Sequence, residues 1–524
     1  MLLFALVTVA LLWMHFAIRR MEKDALPEKM RALPELPEME SIHLHEEHHA
    51  RMGHTLDVWH PDDETFWENT GRRIARRNLW ISVPCLLLAF SVWLVWSVVV
   101  AKLPAVGFDY TTNQLFWLAA VPGLSGATLR IFYSFMVPIM GGRLWTTLST
   151  ATLLIPALGI GYAVQNPQTP YLIFLILALL CGFGGGNFAS SMANISFFFP
   201  KSEKGNALAL NAGLGNAGVS IMQFVVPIVV VGGVFGVIGG EPQITATGEE
   251  MWLQNAGFVW VPFLLVATLA AWFGMNDIAS AQASFHEQAV IFTRKHNWVM
   301  CVLYTGTFGS FIGYSAGFPL LSQLEFPETD ALQYVFLGPL VGALSRAGTG
   351  WLADKVGGGR VTFWTFISMI IAVLGVLYFL ANKEQPGAFW GFFTMFMFLF
   401  FATGVGNAST FQMIPVIMGK EIRRLMPTLA TSEQRRHADR ESAAIIGFTS
   451  AIAAYGAFFI PKSYGTAIAA TGSPMIALWG FLLFYILCTI ATWWYYTRRQ
   501  GLLYADEHGE GSTVTVSPVT AVSS

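Results

Sequence analysis

Arg130 and Arg346 lie inside the long apolar stretches NQLFWLAAVPGLSGATLRIFYSFMVPIM and ALQYVFLGPLVGALSRAGTGWLA. They are the only charged side chains that the sequence places in the membrane-buried part of a twelve-span body. A cation near the middle of a bilayer costs about 2.5–3.5 kcal/mol on insertion scales, and no acid is buried beside these two in the sequence to offset it. A guanidinium offers planar, paired N–H donors, which match a planar oxyanion better than a lysine ammonium does. Two such groups in an apolar body point to a site for a small anion. At 1.5 Å per residue, Arg130 before Gly141 and Arg346 before Gly358 each lie roughly 16–18 Å from the helix end, near the middle of a core about 30 Å thick. The competing reading is an arginine that snorkels to an interface or bonds backbone carbonyls.

Other side chains fit the same chemistry. Tyr304 and Phe308 are one helical turn apart on the seventh span, and Phe188 follows a glycine run in the fourth. Aromatic rings can sandwich a flat anion and exclude water, and a tyrosine hydroxyl can donate to it. Core packing is the commoner role of membrane aromatics. Asn211 and Asn216 are polar in an apolar span, and a neutral amide can complete anion coordination without changing the charge. Gly205, Gly213, Gly215 and Gly218, with Gly447 and Gly456 in the eleventh span, suit close helix approach. They read equally as sliding surfaces or as static packing.

The elements that must hold these residues are membrane helices. Of 524 residues, 54% are hydrophobic and 12% charged, well below the roughly 25% charged of soluble domains. Apolar runs predict spans at about 79–101, 113–139, 144–164, 170–196, 206–232, 253–275, 298–322, 331–352, 361–381, 387–418, 442–462 and 474–496. Nineteen Lys and Arg residues in alternate loops face one side, against Lys102, Lys383 and Lys462 on the other, so both ends of the body are expected in the cytoplasm. The halves echo each other: GGGN at 184–187 corresponds to GVGN at 404–407, and GGR at 141–143 to GGGR at 357–360. Two parallel six-span halves suit a carrier with its substrate at the midplane between them.

The segments outside the body divide by composition. Residues 1–20 predict an extra transmembrane helix with its N-terminus outside, because positive charge follows the apolar run and no cleavage site is present. Residues 21–66 read as a cytoplasmic linker, and its tract HLHEEHHARMGH as exposed chain rather than a metal site. The six-span halves are placed at 67–275 and 298–499, with a central loop at 276–297 and a disordered tail at 500–524. Four cysteines within apolar runs show no metal spacing, and no metal or cofactor is expected. Nucleic acid is excluded as a ligand, since the charge is confined to loops and ends. The body's membrane segments carry no Asp, Glu or His to relay a proton, which favours exchange of one anion for another over proton coupling.

GWLADKVGGGR, between the eighth and ninth spans, resembles the loop signature of the major facilitator superfamily, with Asp354 and Arg360 as candidate cytoplasmic gate residues. GGGNFASSMANISFFFPKSEKGNALALNAGLGNAGVS and GFTSAIAAYGAFFIPKSYG resemble the two nitrate signatures of NarK-type nitrate/nitrite porters. The resemblance runs from about Trp67 through the last span. It implies an all-α polytopic membrane protein of the major facilitator fold in a bacterial inner membrane, a carrier rather than an enzyme, with nitrate, nitrite and the lipid bilayer as its partners. It also implies that Arg130 and Arg346 clamp the anion, that Tyr304 donates a hydrogen bond, that Phe188 and Phe308 sandwich the anion, and that Asn216 faces it. Exchange, nitrate–proton symport and a nitrate-binding sensor or partner subunit stay open. The first 60 residues depart from the pattern and resemble the exit of an upstream fused or split porter module.

Overall fold

A segment crossing a bilayer has no water to satisfy its backbone, so apolar runs of this length fold as helices. The computed structural model describes residues 54–279 and 289–504. Among them, eleven helices are long and apolar enough to cross a membrane. These are α1 (Glu64–Val106), α2 (Thr112–Tyr133), α3 (Gly142–Ala163), α4 (Tyr171–Phe198), α5 (Lys201–Val229), α6 (Asn255–Gly274), α7 (Lys295–Glu325), α9 (Gly358–Ala381), α10 (Ala388–Leu425), α11 (Thr431–Thr471) and α12 (Met475–Thr497). The remaining crossing, α8, is built from two pieces, Leu337–Gly348 and Gly350–Val356. The sequence predicts one span over 331–352, and the interruption falls at Thr349, between two glycines that support a helix poorly. The predicted extra helix at 1–20 and the tail after 504 lie outside the described residues.

The break in α8 repeats one in the first half. There α2 ends at Tyr133, a short helix Met136–Met140 follows, and Gly141 (φ 85°) turns the chain into α3. In the second half Gly357 (φ 102°) turns the chain from α8 into α9. These left-handed backbones need glycine. Gly141 and Gly357 are separated by the same interval as Arg130 and Arg346, so the internal repeat holds at the level of backbone conformation.

Helices α1–α6 and α7–α12 form two bundles. Within them α2 packs on α4, α1 on α5, α8 on α10 and α9 on α10 and α12. The bundles meet along α2–α11, α5–α8 and α1–α7. Small residues permit this approach: a side chain at Gly123 would collide with the Ala457 backbone, and one at Gly465 with Phe116.

Toward the end opposite the basic loops the seam is sealed. Thr128 and Tyr455 hydroxyls bond at 2.8 Å, and Gln223 Nε2 donates to Ser315 O at 2.7 Å. Ser220 Oγ donates to Phe336 O at 2.9 Å, and Lys462 Nζ to Asn113 Oδ1 at 3.1 Å. Toward the basic end, Gly213, Gly348 and Gly447 have open space where a side chain would sit.

Three helices overrun their predicted ends. α1 starts at Glu64 rather than about 79, α11 starts at Thr431 rather than about 442, and α10 continues to Leu425. The added turns are polar, which conceals them from a hydropathy reading. Those of α11 carry the buried Glu441, which accepts from Arg294 Nε at 2.7 Å and from Nη2 at 2.8 Å, tying the start of α7 to α11. Hydrogen bonding to Glu441 pushes the Arg294 guanidinium up from its already high ordinary value, so that partner stays charged.

Residues 54–66, placed in the linker by composition, are packed onto the body. Strand β1 (Thr55–Leu56) pairs in parallel with a strand at Asp277–Ile278. Trp59 Nε1 donates to Phe197 O at 3.1 Å, and Asp62 Oδ1 accepts from Lys201 N at 3.0 Å, capping α5 from outside its own chain segment.

The fork predicts an asymmetry between substitutions. Glu441→Ala strands a buried guanidinium and costs about 3–5 kcal/mol, read as a lower thermal midpoint of the purified protein. The double substitution Arg294→Met with Glu441→Leu recovers most of that loss, because it removes both charges together.

Candidate anion site

Arg130 projects from α2 into the interior and has no solvent exposure. Gly126 and Gly185 make room for Trp93, which a side chain at either would strike and whose ring lies 5.3 Å from the Arg130 guanidinium carbon. Trp93 is held in turn by its indole N–H, which donates to Pro122 O at 2.7 Å. Arg130 Nε donates to Gly185 O on α4 at 3.0 Å, and Nη1 donates to Ser450 O on α11 at 3.1 Å. The second bond crosses from one bundle to the other. Thus the arginine does bond backbone carbonyls, as the competing sequence reading allowed. Nη2 is left buried with no hydrogen-bond partner.

Phe188 on α4 and Phe308 on α7 face each other across the bundles. Their rings are inclined by 26° with centroids 6.5 Å apart. That spacing is close to twice the ~3.5 Å of van der Waals contact, so it accommodates one flat layer between the rings. The Arg130 guanidinium carbon is 4.7 Å from the Phe188 centroid and 5.5 Å from that of Phe308. These distances together well exceed the ring separation, so the cation sits at the edge of the gap and leaves its middle clear. A π-helical turn, Thr305–Gly309, widens α7 at this level. Tyr304, just before it, stacks on Phe308 at 5.5 Å with a 17° tilt.

The Tyr304 hydroxyl is buried, has no partner of good geometry, and lies within electrostatic reach of both Arg130 and Arg346. Arg346 is half-buried on the first piece of α8, with its guanidinium carbon 5.7 Å from the Phe411 ring of α10. Its Nη1 is buried and unpartnered, and it lies within electrostatic reach of Arg130. The structure therefore leaves three buried donors without an acceptor of good geometry, Arg130 Nη2, Arg346 Nη1 and Tyr304 Oη, on residues that interact with one another, with Arg130 at the edge of the ring gap and Tyr304 stacked on one of its rings. Such an arrangement can bind a small planar anion, and nothing in it suits bond-making chemistry.

The structure brings Arg130, Arg346, Tyr304, Phe188 and Phe308 together. Asn216 is buried on α5 with an unpartnered Oδ1 but bonds neither guanidinium. Asn211 donates instead to Ser191 Oγ at 2.8 Å. Gly215 packs against Leu86, Gly218 against the Leu87 carbonyl and Gly456 against Gly309, whereas Gly205, Gly213 and Gly447 face open space. Asp354 is exposed at the end of α8, and Arg360 lies half-buried at the start of α9.

Sequence reasoning missed Trp93, Phe411 and the Ser450 carbonyl, none of which carries a distinctive local motif. Asn187 and Asn407 did carry one, the matched GGGN and GVGN. Both are buried with an unpartnered Oδ1, beside Phe188 on α4 and one turn from Phe411 on α10.

Residues 85–432 match the Major Facilitator Superfamily. The chain is 51% identical to the nitrate/nitrite transporter NarU of Salmonella typhimurium, over 85% of this chain and 96% of that one. It is 52% identical to NarU of Escherichia coli, with the same coverage. It is 42% identical to the Probable nitrate/nitrite antiporter NarK2 of Thermus thermophilus, over 85% of this chain and 97% of that one. Among solved structures, the nucleoside transporter NupG superposes with a TM-score of 0.54 at 10% identity, covering 80% of this chain and 98% of the other, a likeness of fold alone.

Proposed function

The chain belongs to the NarK-type nitrate/nitrite porters of the major facilitator superfamily, and from that premise we propose that it exchanges nitrate for nitrite across a bacterial inner membrane. The anion would lie in the slot between Phe188 and Phe308, held by Arg130, Arg346 and Tyr304. The observation that carries this reading is the set of three unpartnered donors on mutually interacting residues, two of which adjoin a gap of one molecular layer. A planar oxyanion supplies the missing acceptors and the missing negative charge together.

Exchange follows from the electrostatics. Two guanidiniums in one low-dielectric site repel each other when it is empty. Closing the basic-end mouth over them would remove the remaining water, so the empty carrier resists reorientation until an anion neutralises the pair. With nitrate bound, the barrier falls and the two bundles rock about the site. Release is followed by binding of nitrite, which permits the return. With the basic end cytoplasmic, as the Lys and Arg placement predicts, the hydrogen-bonded seam would face the periplasm and the open space at Gly213, Gly348 and Gly447 the cytoplasm. The name of the Thermus relative supports exchange, as does the absence, among the described residues, of Asp, Glu or His from α2 and the first piece of α8, which carry Arg130 and Arg346.

Purified protein in liposomes tests this. Nitrate uptake should require nitrite or nitrate inside and should persist when an uncoupler collapses the proton gradient. Uptake into empty liposomes driven by a pH gradient alone would identify a symporter instead, and tight binding without flux would identify a sensor. Arg130→Lys keeps the charge but loses the planar fork, so nitrate flux should fall about tenfold or more. Near-normal flux in that variant would remove the paired-donor argument.

A further inference from the structure

A second cavity, of about 250 Å³, opens on the outer face of the second bundle, away from the anion slot. It lies between the second piece of α8, the start of α9 and the middle of α10. Arg360 stands at its basic-end mouth, and Val356, Trp364, Phe398 and Phe401 are among the apolar side chains lining it. Ser368 marks its far end along α9, eight residues and about 12 Å from Arg360. The walls are open outward: Trp364 is 64% and Phe401 44% exposed. On spanning helices that exposure faces lipid, so this is a recess within the lipid-facing surface rather than an aqueous pocket.

One cation at the membrane-interface end and about 12 Å of apolar wall leading toward the midplane have the polarity of a single phospholipid. Farther along α9, Ile371, Leu374 and Tyr378 are exposed, and Arg360 is the one Lys or Arg that α9 carries. A guanidinium engages phosphate with paired donors, and basic residues at this depth attract anionic headgroups. We propose that the groove is a site for an anionic glycerophospholipid, its phosphate on Arg360 and one acyl chain lying between α9 and α10. Bound there, the lipid would brace the second piece of α8 against α9 and α10, beyond the Gly357 turn. It would thereby steady the broken helix that carries Arg346. This site is independent of the transported anion.

The test uses the full-length protein, delipidated in detergent and offered phosphatidylglycerol or phosphatidylcholine. Native mass spectrometry should show one phosphatidylglycerol retained in preference to phosphatidylcholine, and phosphatidylglycerol should raise the thermal midpoint. Arg360→Gln should weaken retention about tenfold by removing the charged donors. Ser368→Trp, which fills the far end and leaves the charge intact, should also abolish the preference, and it keeps the test decisive where Arg360→Gln fails to fold. Equal retention of the two lipids, or wild-type retention by Ser368→Trp, would overturn the site. So would an equal thermal shift from glycerol 3-phosphate, which would assign the effect to free phosphate.

Discussion

The constraint on which this structure depends is positive charge without a counter-ion at the middle of a membrane. Two guanidiniums are held there, and no carboxylate is paired with either among the described residues. The protein lowers the cost with weaker groups. Arg130 uses two of its three nitrogens on the carbonyls of Gly185 and Ser450 and lies against the faces of Trp93, Phe188 and Phe308. Carbonyl dipoles and aromatic quadrupoles stabilise a cation partially. The remainder of the charge, with Arg130 Nη2 and Arg346 Nη1 buried and unpartnered, is what the proposed anion would neutralise.

Much of the architecture follows from placing those groups. Glycines at 126 and 185 let the Trp93 ring, which lies beside the Arg130 guanidinium, pack between α2 and α4. The widened turn in α7 sets Tyr304 and Phe308 at the slot, and the matched left-handed glycines reproduce one helix-turn-helix arrangement in both halves. Because the Arg130–Ser450 bond crosses the bundles, the arginine also links the two halves that the proposed exchange would move. A bound anion is positioned to compete with or reinforce that link, which is how occupancy of the slot would reach the seam.

What the sequence made legible was the part governed by long-range pattern. Membrane spans follow from the length and apolarity of their runs, and the intramembrane arginines stand out because charge is so rare there. The aromatic partners were legible only through the family resemblance, since a buried Phe188 used for packing has the same local sequence as one used for binding. The extension of α11 to Thr431 was hidden because its first turns are polar and the hydropathy reading follows the bilayer rather than the helix. The strap at residues 54–66 was hidden for a related reason: Trp59 and Asp62 act through contacts more than a hundred residues away. Carbonyl partners such as Ser450 leave no mark on side-chain chemistry at all.

The central claim is that Arg130 and Arg346 hold one anion jointly. The most direct measurement is a double-mutant cycle on nitrate binding to the purified protein, with Arg130→Gln, Arg346→Gln and the pair. If both guanidiniums grip the same anion, each single change removes most of the affinity and the double change costs far less than their sum, at a stoichiometry of one nitrate per chain. Additive losses, or two anions per chain, would contradict it.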